Sequence, residues 1–395
     1  MTEAQRIVAG TVDTAAFSND EILRYSRHLI MPEVTLEGQR RLKAARVLCV
    51  GAGGLGSPLT LYLAAAGVGR IGVVEFDTVE LSNIQRQVLY STADVGRPKL
   101  EAACERLRQL NPEIEIVPHA MRLSSSNVLD LFREYDIVAD CTDNFPTRYL
   151  VNDACVLTGT PNVHASIFRF EGQVSVFDAS RGPCYRCLFP EPPPPDQVPS
   201  CAEGGVLGVM PGIVGSLQAL EVIKRILGVG DPLVGRLVLF DALAFEFREL
   251  PIRKQPGCAA CGTSPTIGAP IDYEAFCGIR SEEGAVDAAG VPSLTVEELD
   301  ARRRRGEAFE LLDVREPYEI EIVALPGARP FPLSELPARM HELDSARTYT
   351  LSCHHGTRSL QAYHALRSAG FGHLQVLAGG VDAWASRVDP SLPRY

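Results

Sequence analysis

A cysteine-centred loop around residue 353 has the residue types needed for sulfur or phosphate chemistry. The segment SCHHGTRS, residues 352–359, lies between TYTL, which is typical of a strand, and SLQAYHALRSAG, which is typical of a helix. Backbone N–H groups at the start of a helix stabilise negative charge, so this loop can hold Cys353 as a thiolate or a persulfide. Arg358, which follows after four intervening residues, is expected to orient the loop or to bind the charge of a donor.

A glycine-rich segment indicates a second kind of site, one that binds phosphates. GAGGLG follows the apolar segment RVLCV and precedes SPLTLYLAAAG, so Gly51, Gly53 and Gly56 have the G-x-G-x-x-G spacing between a strand and a helix. In that context the glycines let backbone amides approach phosphates at a helix N-terminus. Glu75 and Asp77 end the next predicted strand, where an acid can bind ribose hydroxyls. Taken alone, this motif predicts a dinucleotide such as NAD.

The residues that follow favour ATP over NAD. ELSNIQRQVLY places Asn83, Arg86 and Gln87 just beyond the acidic pair, Lys99 lies on the next predicted helix, and CTDNFPTR puts Asp143 at the end of a strand. An enzyme that holds three phosphates and stabilises a departing pyrophosphate needs such cations, whereas a nicotinamide cofactor does not. Asp143 is then expected to hold Mg²⁺ or to position the nucleotide.

Two C-x-x-C pairs predict a metal site. CYRC contains Cys184 and Cys187, and CAAC contains Cys258 and Cys261. A single pair can be a redox couple, but two pairs that flank one domain supply the four thiolates of a closed structural Zn²⁺ site. Such a site pins the chain that leaves the sheet, because metal binding is coupled to folding. Four further cysteines lie within apolar patterns and are expected in the core: Cys49, Cys104, Cys141 and Cys155.

Length, composition and charge limit the classes of function. The chain has 395 residues, 46% hydrophobic and 22% charged, so two or three soluble domains are expected. A formal net charge of −11 disfavours nucleic acid as a general partner. The N-terminus lacks a secretory profile, and the most apolar stretch, residues 205–228, is typical of a buried helix rather than a membrane span. Eleven cysteines without an export signal indicate a reducing compartment, so the prediction is a cytoplasmic protein.

The pattern of apolar segments predicts an α/β fold with a mostly parallel sheet. From residue 18 to about residue 170, predicted strands alternate with amphipathic helices, as in a parallel sheet covered on both faces. FRFEGQVSVF and GRLVLFDALAFEFRELPI then read as antiparallel strand pairs. Ser18 and Glu21 have the spacing of a helix capping box. The proline-rich segment at residues 190–205 is predicted to be a long exposed connection, and long connections often carry function.

Several segments together resemble the adenylyltransferases that activate ubiquitin-like sulfur carriers, a family that includes molybdopterin-synthase activating enzymes, thiamine-pathway enzymes and, more distantly, ubiquitin-activating E1 enzymes. The resemblance rests on RYSRHLIMPE, GAGGLGSP, SNIQRQ, GRPK, CTDN, RFEGQVSVF and CYRC, and covers residues 18–262. It implies a Rossmann-like, E1/ThiF-type adenylation domain over residues 1–262 that uses ATP and Mg²⁺ and holds Zn²⁺. Composition shifts to Gly, Pro, Thr and Ser after this domain, and a linker is predicted over residues 263–292.

The segment from residue 293 to residue 395 resembles a small α/β rhodanese sulfurtransferase domain. LLDVREP, with Asp313, ALPGA and LAGGVDAW carry this resemblance. Tyrosine phosphatases use a loop similar to SCHHGTRS but with five residues between Cys and Arg, and the tighter spacing here suits a sulfur atom better than a phosphate. The resemblance implies that Cys353 carries a persulfide.

The resemblance also implies roles for particular residues. Those expected to contact ATP are Gly54, Glu75, Asn83, Arg86, Lys99, Asp143 and Asn144. The family usually has aspartate where Glu75 stands, so Asp77 is an alternative ribose ligand. Arg27 is expected to reach the ATP site of the partner subunit in a homodimer. Cys201, at the end of the proline-rich connection, matches a cysteine proposed to form a covalent intermediate, and the alternative is a bystander in a loop.

These roles imply a two-step reaction. AMP transfer to the C-terminal carboxylate of a carrier that ends in Gly-Gly creates a good leaving group, and the Cys353 persulfide, or Cys201 acting with it, then attacks the acyl-adenylate. Reduction releases a thiocarboxylate, with thiosulfate or a cysteine desulfurase persulfide as the sulfur source. Alternatives are adenylation alone, a carrier-binding module with an inactive rhodanese domain, or an NAD-dependent oxidoreductase. Molybdopterin, thiamine, tRNA-thiolation and cysteine pathways all fit the sequence.

Overall fold

The computed structural model describes residues 16–193, 204–278, 291–307 and 309–395. The chain divides into two compact units, Met1–Ile279 and Arg280–Tyr395. Across the described ranges, every helix is too short or too polar to cross a membrane. The most apolar stretch instead forms a helix, Val209–Leu227, which packs in the core of the first unit as predicted.

The first unit is built on a mixed sheet that is mostly parallel, as the sequence predicted. Its strands are β1 (Arg46–Val50), β2 (Arg70–Val74), β3 (Glu115–His119), β4 (Ile137–Asp140), β5 (Asn162–Phe168), β6 (Glu171–Phe177), β7 (Arg236–Asp241) and β8 (Glu246–Pro251). Their order in the sheet is β3-β2-β1-β4-β5-β6-β7-β8. The strands from β3 to β5 run parallel, and β6, β7 and β8 are added antiparallel.

Helices cover both faces of this sheet. They are α1 (Asn19–Arg24), α2 (Ser26–Leu29), α3 (Thr35–Ala44), α4 (Gly56–Ala66), α5 (Lys99–Leu110), α6 (Val128–Arg133), α7 (Phe145–Thr158), α8 (Tyr185–Leu188), α9 (Val209–Leu227) and α10 (Tyr273–Phe276). Alternate residues of β1 face opposite ways, because side chains in a strand repeat every two residues. Val47 and Cys49 pack in the cluster under α4 and α9, and Leu48 and Val50 pack in the cluster under α6 and α7.

The N-terminal helical segment confirms the predicted capping box. The backbone N–H of Glu21 donates to Ser18 Oγ at 3.1 Å, and that of Ser18 donates to Glu21 Oε2 at 2.9 Å, which completes the predicted capping box. The helix ends at Arg24 rather than running on, because Tyr25 turns inward. The Tyr25 ring is buried, and its hydroxyl accepts a hydrogen bond from Asn111 Nδ2 at 2.8 Å.

Part of the segment predicted as a linker packs against the first unit. Tyr273 begins α10, is buried, and donates its hydroxyl to Asp153 Oδ2 at 2.9 Å. Cys277 is buried in the same cluster as α7. The compact part of this unit therefore continues beyond residue 262. The change to Gly, Pro, Thr and Ser marks irregular backbone, and the anchoring aromatic residue within it gave no compositional signal.

The second unit is a smaller parallel α/β layer. Its strands are β9 (Ser293–Leu294), β10 (Glu310–Asp313), β11 (Ala328–Pro330), β12 (Tyr349–Ser352) and β13 (Leu374–Leu377), and its helices are α11 (Val296–Arg304), α12 (Pro317–Ile322), α13 (Leu336–Arg339), α14 (Thr357–Ser368) and α15 (Gly380–Arg387). The strand order is β11-β10-β12-β13-β9, with parallel neighbours throughout. Two apolar clusters lie on opposite faces of this sheet, one around Leu312 and Leu351 and the other around Leu294 and Leu311.

Candidate active sites

The loops predicted to bind a nucleotide meet at one edge of the first sheet. The glycine loop follows β1, Glu75 and Asp77 follow β2, and Asp143 follows β4. These three strands are neighbours and parallel, so their carboxyl ends lie side by side. The chain moves from β1 to β2 on one side, while β4 lies on the other. This reversal creates the crevice in which open α/β sheets bind ligands.

The glycine loop has a conformation that side chains would disturb. Gly51 has φ +93°, in the left-handed region that favours glycine. A Cβ on Gly56 would lie 2.1 Å from the Gly51 carbonyl oxygen, so glycine is required where α4 begins. At Gly53, by contrast, a Cβ would meet only Gln87 Nε2, at 3.6 Å. The middle of the loop is therefore open on the side from which a phosphate can approach the backbone.

Two side chains from other segments fix this loop by its Ala52 peptide groups. The Ala52 N–H donates to Glu75 Oε2 at 3.0 Å, and the Ala52 carbonyl accepts from the Tyr90 hydroxyl at 2.9 Å. Glu75 Oε1 also accepts the backbone N–H groups of Phe76 and Asp77, at 2.8 and 3.0 Å. Glu75 is thus a buried structural ligand of the loop, a role that sequence reasoning missed, and its contact with ribose remains a prediction.

Two predicted cationic residues lie beside the loop. Lys99 is buried at the start of α5, and its Nζ is 3.2 Å from Asp77 Oδ2, so this acid holds the ammonium group. Arg86 donates from Nη1 to the Ser82 carbonyl at 2.9 Å. Its Cγ lies 3.9 Å from the position of a Cβ on Gly54. Arg86 therefore lies beside Gly54, and Lys99 is linked to the loop through Asp77 and Glu75.

Two amide side chains complete this flank. Asn83 is buried, and its Oδ1 accepts the Glu80 N–H at 3.4 Å. Gln87 is buried as well, and within the described ranges its Oε1 has no hydrogen-bond partner. A buried carbonyl oxygen without a partner is costly, and it lies beside the open side of Gly53. A bound hydrogen-bond donor, such as a group of the nucleotide or its water, fits this position.

The loop after β4 presents two predicted site residues to solvent. Asp143 is exposed, so its carboxylate is accessible to Mg²⁺ or to a nucleotide. Asn144 caps α7, since its Oδ1 accepts the Thr147 N–H at 3.0 Å. Asn144 therefore fixes the direction in which the helix starts. Its Oδ1 is used in this cap, so Nδ2 is the amide atom left for a contact with ATP.

A buried hydrogen-bond network lies next to this loop. Asp140 Oδ1 accepts the N–H and the hydroxyl of Thr142, at 3.1 and 2.6 Å, and Asp140 Oδ2 accepts from His164 Nδ1 at 3.0 Å. Burial lowers the pKa of His164. Burial opposes ionisation of Asp140, but the interactions with His164, Arg148 and Thr142 together outweigh it and lower the pKa of this carboxyl. The pair is therefore a carboxylate and a neutral imidazole, and nothing in the local sequence revealed it.

Arg27 is not among the residues that the structure places at this edge. Arg27 is exposed on the short helix α2, outside the sheet. It lies between the exposed apolar residues Leu23 and Ile30, which are 75% and 72% exposed. Cys201 lies outside the described residues.

The four predicted metal ligands form one compact cluster. The sulfur atoms of Cys184, Cys187, Cys258 and Cys261 all lie within 4.8 Å of one another, and all four residues are buried. The Sγ atoms of Cys184 and Cys258 are 3.6 Å apart, and those of Cys187 and Cys261 are 3.4 Å apart. A Zn–S distance of about 2.3 Å in a tetrahedron corresponds to a spacing of about 3.8 Å between sulfurs. The donor set and its dimensions therefore fit Zn²⁺.

The cluster is tied to the first unit by a buried ion pair. Arg186, between the first two cysteines, donates from Nε and Nη2 to both carboxylate oxygens of Asp153 at 2.8 Å. The backbone N–H of Gln255 points at Cys187 Sγ at 3.4 Å, as expected for a thiolate acceptor. The four cysteines that were predicted to lie in the core are buried there: Cys49, Cys104, Cys141 and Cys155.

In the second unit, Cys353 lies at the bottom of a loop between β12 and α14. Its side chain is buried, and the Gly356 N–H points at Sγ at a distance of 3.1 Å. The Sγ atom is also 3.7 Å from the hydroxyl oxygen of Ser359. Gly356 has φ +122°, which lets the peptide turn its N–H inward. This arrangement can stabilise a sulfur anion with backbone dipoles at a helix N-terminus, as the spacing of the motif predicted.

Arg358 does not stand free in this loop. Its Nη1 and Nη2 donate to the two carboxylate oxygens of Glu319 on α12, at 2.5 and 2.7 Å. Burial opposes ionisation of Glu319, but the interactions with Arg358, the Glu316 N–H and Tyr395 together outweigh it and lower the pKa of Glu319. The same ion pair raises the pKa of Arg358. The predicted role of Arg358 in orienting the loop fits this geometry. Its positive charge, which was predicted to bind a donor, is compensated by Glu319.

The two histidines of the loop differ in environment. His354 is buried and stacks on the ring of Tyr395, with centroids 4.1 Å apart, whereas His355 is exposed. Burial and the neighbouring His355 lower the pKa of His354 to about 4, so its imidazole is neutral at physiological pH. Nothing in the local sequence distinguishes these two histidines, because the difference depends on the distant Tyr395.

Sequence models of two families match the two units. The model of the ThiF family matches residues 25–260, and that of the Rhodanese-like domain matches residues 295–387. These ranges include the glycine loop with its flanking residues and the Cys353 loop, respectively.

Curated relatives match along nearly the whole chain. A protein of Mycobacterium tuberculosis (strain CDC 1551 / Oshkosh), "Probable adenylyltransferase/sulfurtransferase MoeZ", is 48% identical over 96% of this chain and 97% of its own. "Adenylyltransferase and sulfurtransferase MOCS3" of Sus scrofa is 47% identical over 96% of this chain and 89% of its own. A "Sulfur carrier protein adenylyltransferase" of Thermus thermophilus is 56% identical over 67% of this chain and 99% of its own.

The fold of the first unit also matches solved structures. A crystal structure of E. coli MccB with succinimide aligns with a TM-score of 0.54 at 25% identity, over 60% of this chain and 74% of that one. The similarity agrees with the observed sheet. By its family matches and by its relatives over its whole length, this chain belongs to the ThiF family, in the form that carries a C-terminal rhodanese-like domain.

Proposed function

We propose that this adenylyltransferase and sulfurtransferase activates the C-terminal Gly-Gly carboxylate of a ubiquitin-like sulfur-carrier protein and converts it to a thiocarboxylate. One observation carries the proposal: the same chain holds a glycine loop with flanking cations and a buried cysteine whose sulfur receives a backbone N–H. A carboxylate does not react with a persulfide, because oxide is a poor leaving group. Activation and sulfur transfer are therefore needed together, and each loop supplies one of them.

In the first half-reaction, the carrier carboxylate attacks the α-phosphate of ATP, and pyrophosphate leaves. Lys99 and Arg86 neutralise the charge that develops on the departing pyrophosphate. The backbone of Gly53 and Gly54 approaches the phosphates, and Gln87 and Asn83 fix the nucleotide by hydrogen bonds. Bound Mg²⁺ would shield the phosphate oxygens, and Asp143 is the exposed acid placed to hold it. The acyl-adenylate then carries AMP as a good leaving group.

In the second half-reaction, sulfur reaches the carrier from Cys353. The thiolate takes a sulfane sulfur from thiosulfate or from the persulfide of a cysteine desulfurase, and Gly356 stabilises the resulting charge through its N–H. The terminal sulfur attacks the acyl-adenylate and AMP departs, which leaves an acyl disulfide. Cys201 is proposed to act with the persulfide in this attack, and a reductant then cleaves the acyl disulfide, which releases the thiocarboxylate and returns the Cys353 thiol.

Two separate readings test the proposed function. ATP–pyrophosphate exchange should require a carrier that ends in Gly-Gly, and a carrier whose terminal glycine is removed should not support it. The mass of the carrier after incubation with ATP, a sulfur donor and a reductant should show one oxygen replaced by sulfur. Exchange without dependence on a carrier would contradict the proposal. A pull-down with mass spectrometry of carrier C-termini would then identify the pathway among molybdopterin, thiamine, tRNA-thiolation and cysteine synthesis.

The cysteine cluster is proposed to hold one structural Zn²⁺ per chain. Purified protein should contain about one zinc, and Cys184→Ser should lose both the metal and stability, because the remaining three thiolates leave the site open. Metal analysis and thermal unfolding measure both effects. Cys155→Ser is the matched control, since Cys155 is buried nearby and is not a ligand. Zinc-free wild-type protein that unfolds at the same temperature as zinc-loaded protein would contradict the assignment.

We also propose that the enzyme is a homodimer in which Arg27 of one subunit serves the ATP site of the other. The exposed apolar residues Leu23 and Ile30 on either side of Arg27 support a contact there. Mixed dimers of Arg27→Ala and Lys99→Ala chains should recover up to about half of wild-type exchange per dimer, because one of the two sites is intact, although each parent dimer is inactive. Co-expression with two affinity tags isolates the mixed dimer. Lack of recovery in verified mixed dimers would exclude an arginine that acts between subunits.

A further inference from the structure

We propose that Glu319 determines the donor specificity of the sulfur loop: by compensating the charge of Arg358, it makes Cys353 accept sulfur from a persulfide in preference to thiosulfate. The inference rests on the proposed function of Cys353 as the sulfur acceptor. It concerns only the donor half-reaction, and so it is separable from adenylation and from the carrier.

The ion pair between Glu319 and Arg358 is built into the fold. The two terminal guanidinium nitrogens of Arg358, Nη1 and Nη2, donate to the carboxylate at 2.5 and 2.7 Å. The side chain of Glu319 is 9% exposed, so water screens this pair poorly. Glu319 Oε2 also accepts the N–H of Glu316, at 3.0 Å, as the third residue of helix α12. The carboxylate is therefore fixed by the helix and cannot swing away when a donor arrives.

Tyr395 holds the same carboxylate from the other side. Its hydroxyl accepts from Arg315 Nη1 at 2.9 Å and lies 3.2 Å from Glu319 Oε1, to which it can donate. Its ring stacks on His354, the residue after Cys353. Glu319 is thus connected to the sulfur loop through Arg358 and also through Tyr395.

The other charges around the loop are compensated too. Arg315 is fully buried and bonds both oxygens of Asp313, from Nε at 2.9 Å and from Nη2 at 2.5 Å. Asp382, whose N–H donates to the His354 carbonyl, bonds Arg394 at 2.8 and 3.2 Å. The chain contains no lysine after Lys254. Among the described residues, the groups placed to stabilise an anion at Cys353 are therefore backbone N–H groups and compensated cations.

This balance of charge separates the two kinds of donor. With thiosulfate, the Cys353 thiolate attacks the outer sulfur, the S–S bond breaks, and sulfite leaves with the electron pair as a dianion. With a persulfide, the same attack expels a thiolate that carries a single charge. Both reactions give the Cys353 persulfide without an external oxidant or reductant. A dianion that enters and leaves beside a thiolate needs an uncompensated cation, which Glu319 removes.

Glu319→Gln is the informative variant. Glutamine keeps the shape of the side chain and can still accept the Glu316 N–H, because Glu and Gln are both suited to this capping position. It removes only the negative charge, so Arg358 becomes available to a donor. Glu321→Gln is the matched control, since it removes the same charge from an exposed position on the same helix. Thermal unfolding of the full-length variants checks that both remain folded.

The experiment measures sulfur transfer to cyanide at about pH 8, where imidazole charge is small. The donors are thiosulfate and the persulfide of N-acetylcysteine methyl ester, which carries no other charge. In Glu319→Gln, the ratio of kcat/KM for thiosulfate to that for the persulfide should rise at least about tenfold, equivalent to about 1.4 kcal/mol. This gain should shrink with added salt. Glu321→Gln should keep the wild-type ratio.

A double-mutant cycle assigns the gain to Arg358. In Glu319→Gln with Arg358→Gln, the ratio should return towards the wild-type value, because the released cation is absent. An unchanged ratio in folded Glu319→Gln would overturn the inference, and so would a gain that persists in the double variant. These outcomes leave the proposed function in place if Cys353 still turns over either donor. Absence of Cys353-dependent turnover with both donors in wild type would overturn the proposed function and this inference together.

Discussion

Replacement of Cys353 by alanine is expected to abolish thiocarboxylate formation and to leave carrier-dependent pyrophosphate exchange unchanged. Cys353 lies in the second compact unit, whereas the glycine loop, Lys99 and Asp143 lie in the first. In the second unit, Cys353 is the only cysteine of the sequence, so no neighbouring thiol can replace it. Exchange of labelled pyrophosphate measures the first half-reaction, and the mass of the carrier measures the second.

Two cysteine variants give this prediction its controls. Cys277→Ala removes a buried thiol of the first unit and should affect neither reading beyond a modest change in stability. Cys201→Ala should spare exchange and reduce sulfur transfer less than Cys353→Ala does, if the Cys353 persulfide can attack the acyl-adenylate directly. Formation of thiocarboxylate by Cys353→Ala with thiosulfate as the sole sulfur source would show that the loop is not the sulfur site.

Replacement of Lys99 or Asp143 by alanine is expected to reduce adenylation by roughly 10²–10³-fold, the usual cost of removing a group that stabilises transition-state charge. Lys99 is held by Asp77 in the segment after β2, and Asp143 is exposed after β4, so we expect both to act on the nucleotide rather than on the core. Carrier-dependent pyrophosphate exchange measures the loss.

The buried stem of Lys99 calls for a conservative variant as well. Lys99→Gln keeps much of the aliphatic length, so a loss of exchange without a lower unfolding temperature would point to the charge. Asp130→Ala removes an exposed acid elsewhere in the same unit and should keep the wild-type rate. All variants should retain sulfur transfer from the donor to cyanide, which reports an intact second unit. Wild-type exchange in both Lys99→Ala and Asp143→Ala would overturn the proposed ATP site.

The predictions from sequence succeeded where the signal is local. The spacing of Gly51 and Gly56 depends only on one strand, one turn and one helix, and the structure shows why a Cβ is excluded at Gly56. The two C-x-x-C pairs were assigned to one site from their residue type and spacing, and their sulfurs lie within 4.8 Å of one another. The alternation of apolar segments likewise predicted the parallel sheet, because each strand carries its own pattern.

The predictions failed to reveal partners that only the tertiary structure brings together. Arg358 and Glu319 are 39 residues apart, and neither local sequence shows that one neutralises the other. Asp140 and His164 are register partners on adjacent strands, a relation that a linear pattern does not contain. Glu75 was expected to face a ligand, and it binds the backbone of the glycine loop because its side chain reaches the Ala52 N–H.

The cysteine cluster also sets an order of events during synthesis. Cys184 and Cys258 are 74 residues apart, and α9, β7 and β8 lie between the two pairs. A ribosome that has released only the first pair has produced half of the ligands, so a metal crosslink can close only after the antiparallel edge of the sheet has emerged. For a covalent crosslink, closing a loop of this length raises the free energy of the unfolded chain by about 4 kcal/mol, because the chain loses conformational entropy. Metal capture would therefore mark nascent chains whose sheet in the first unit is complete, and would leave chains that terminate before the second pair without that constraint.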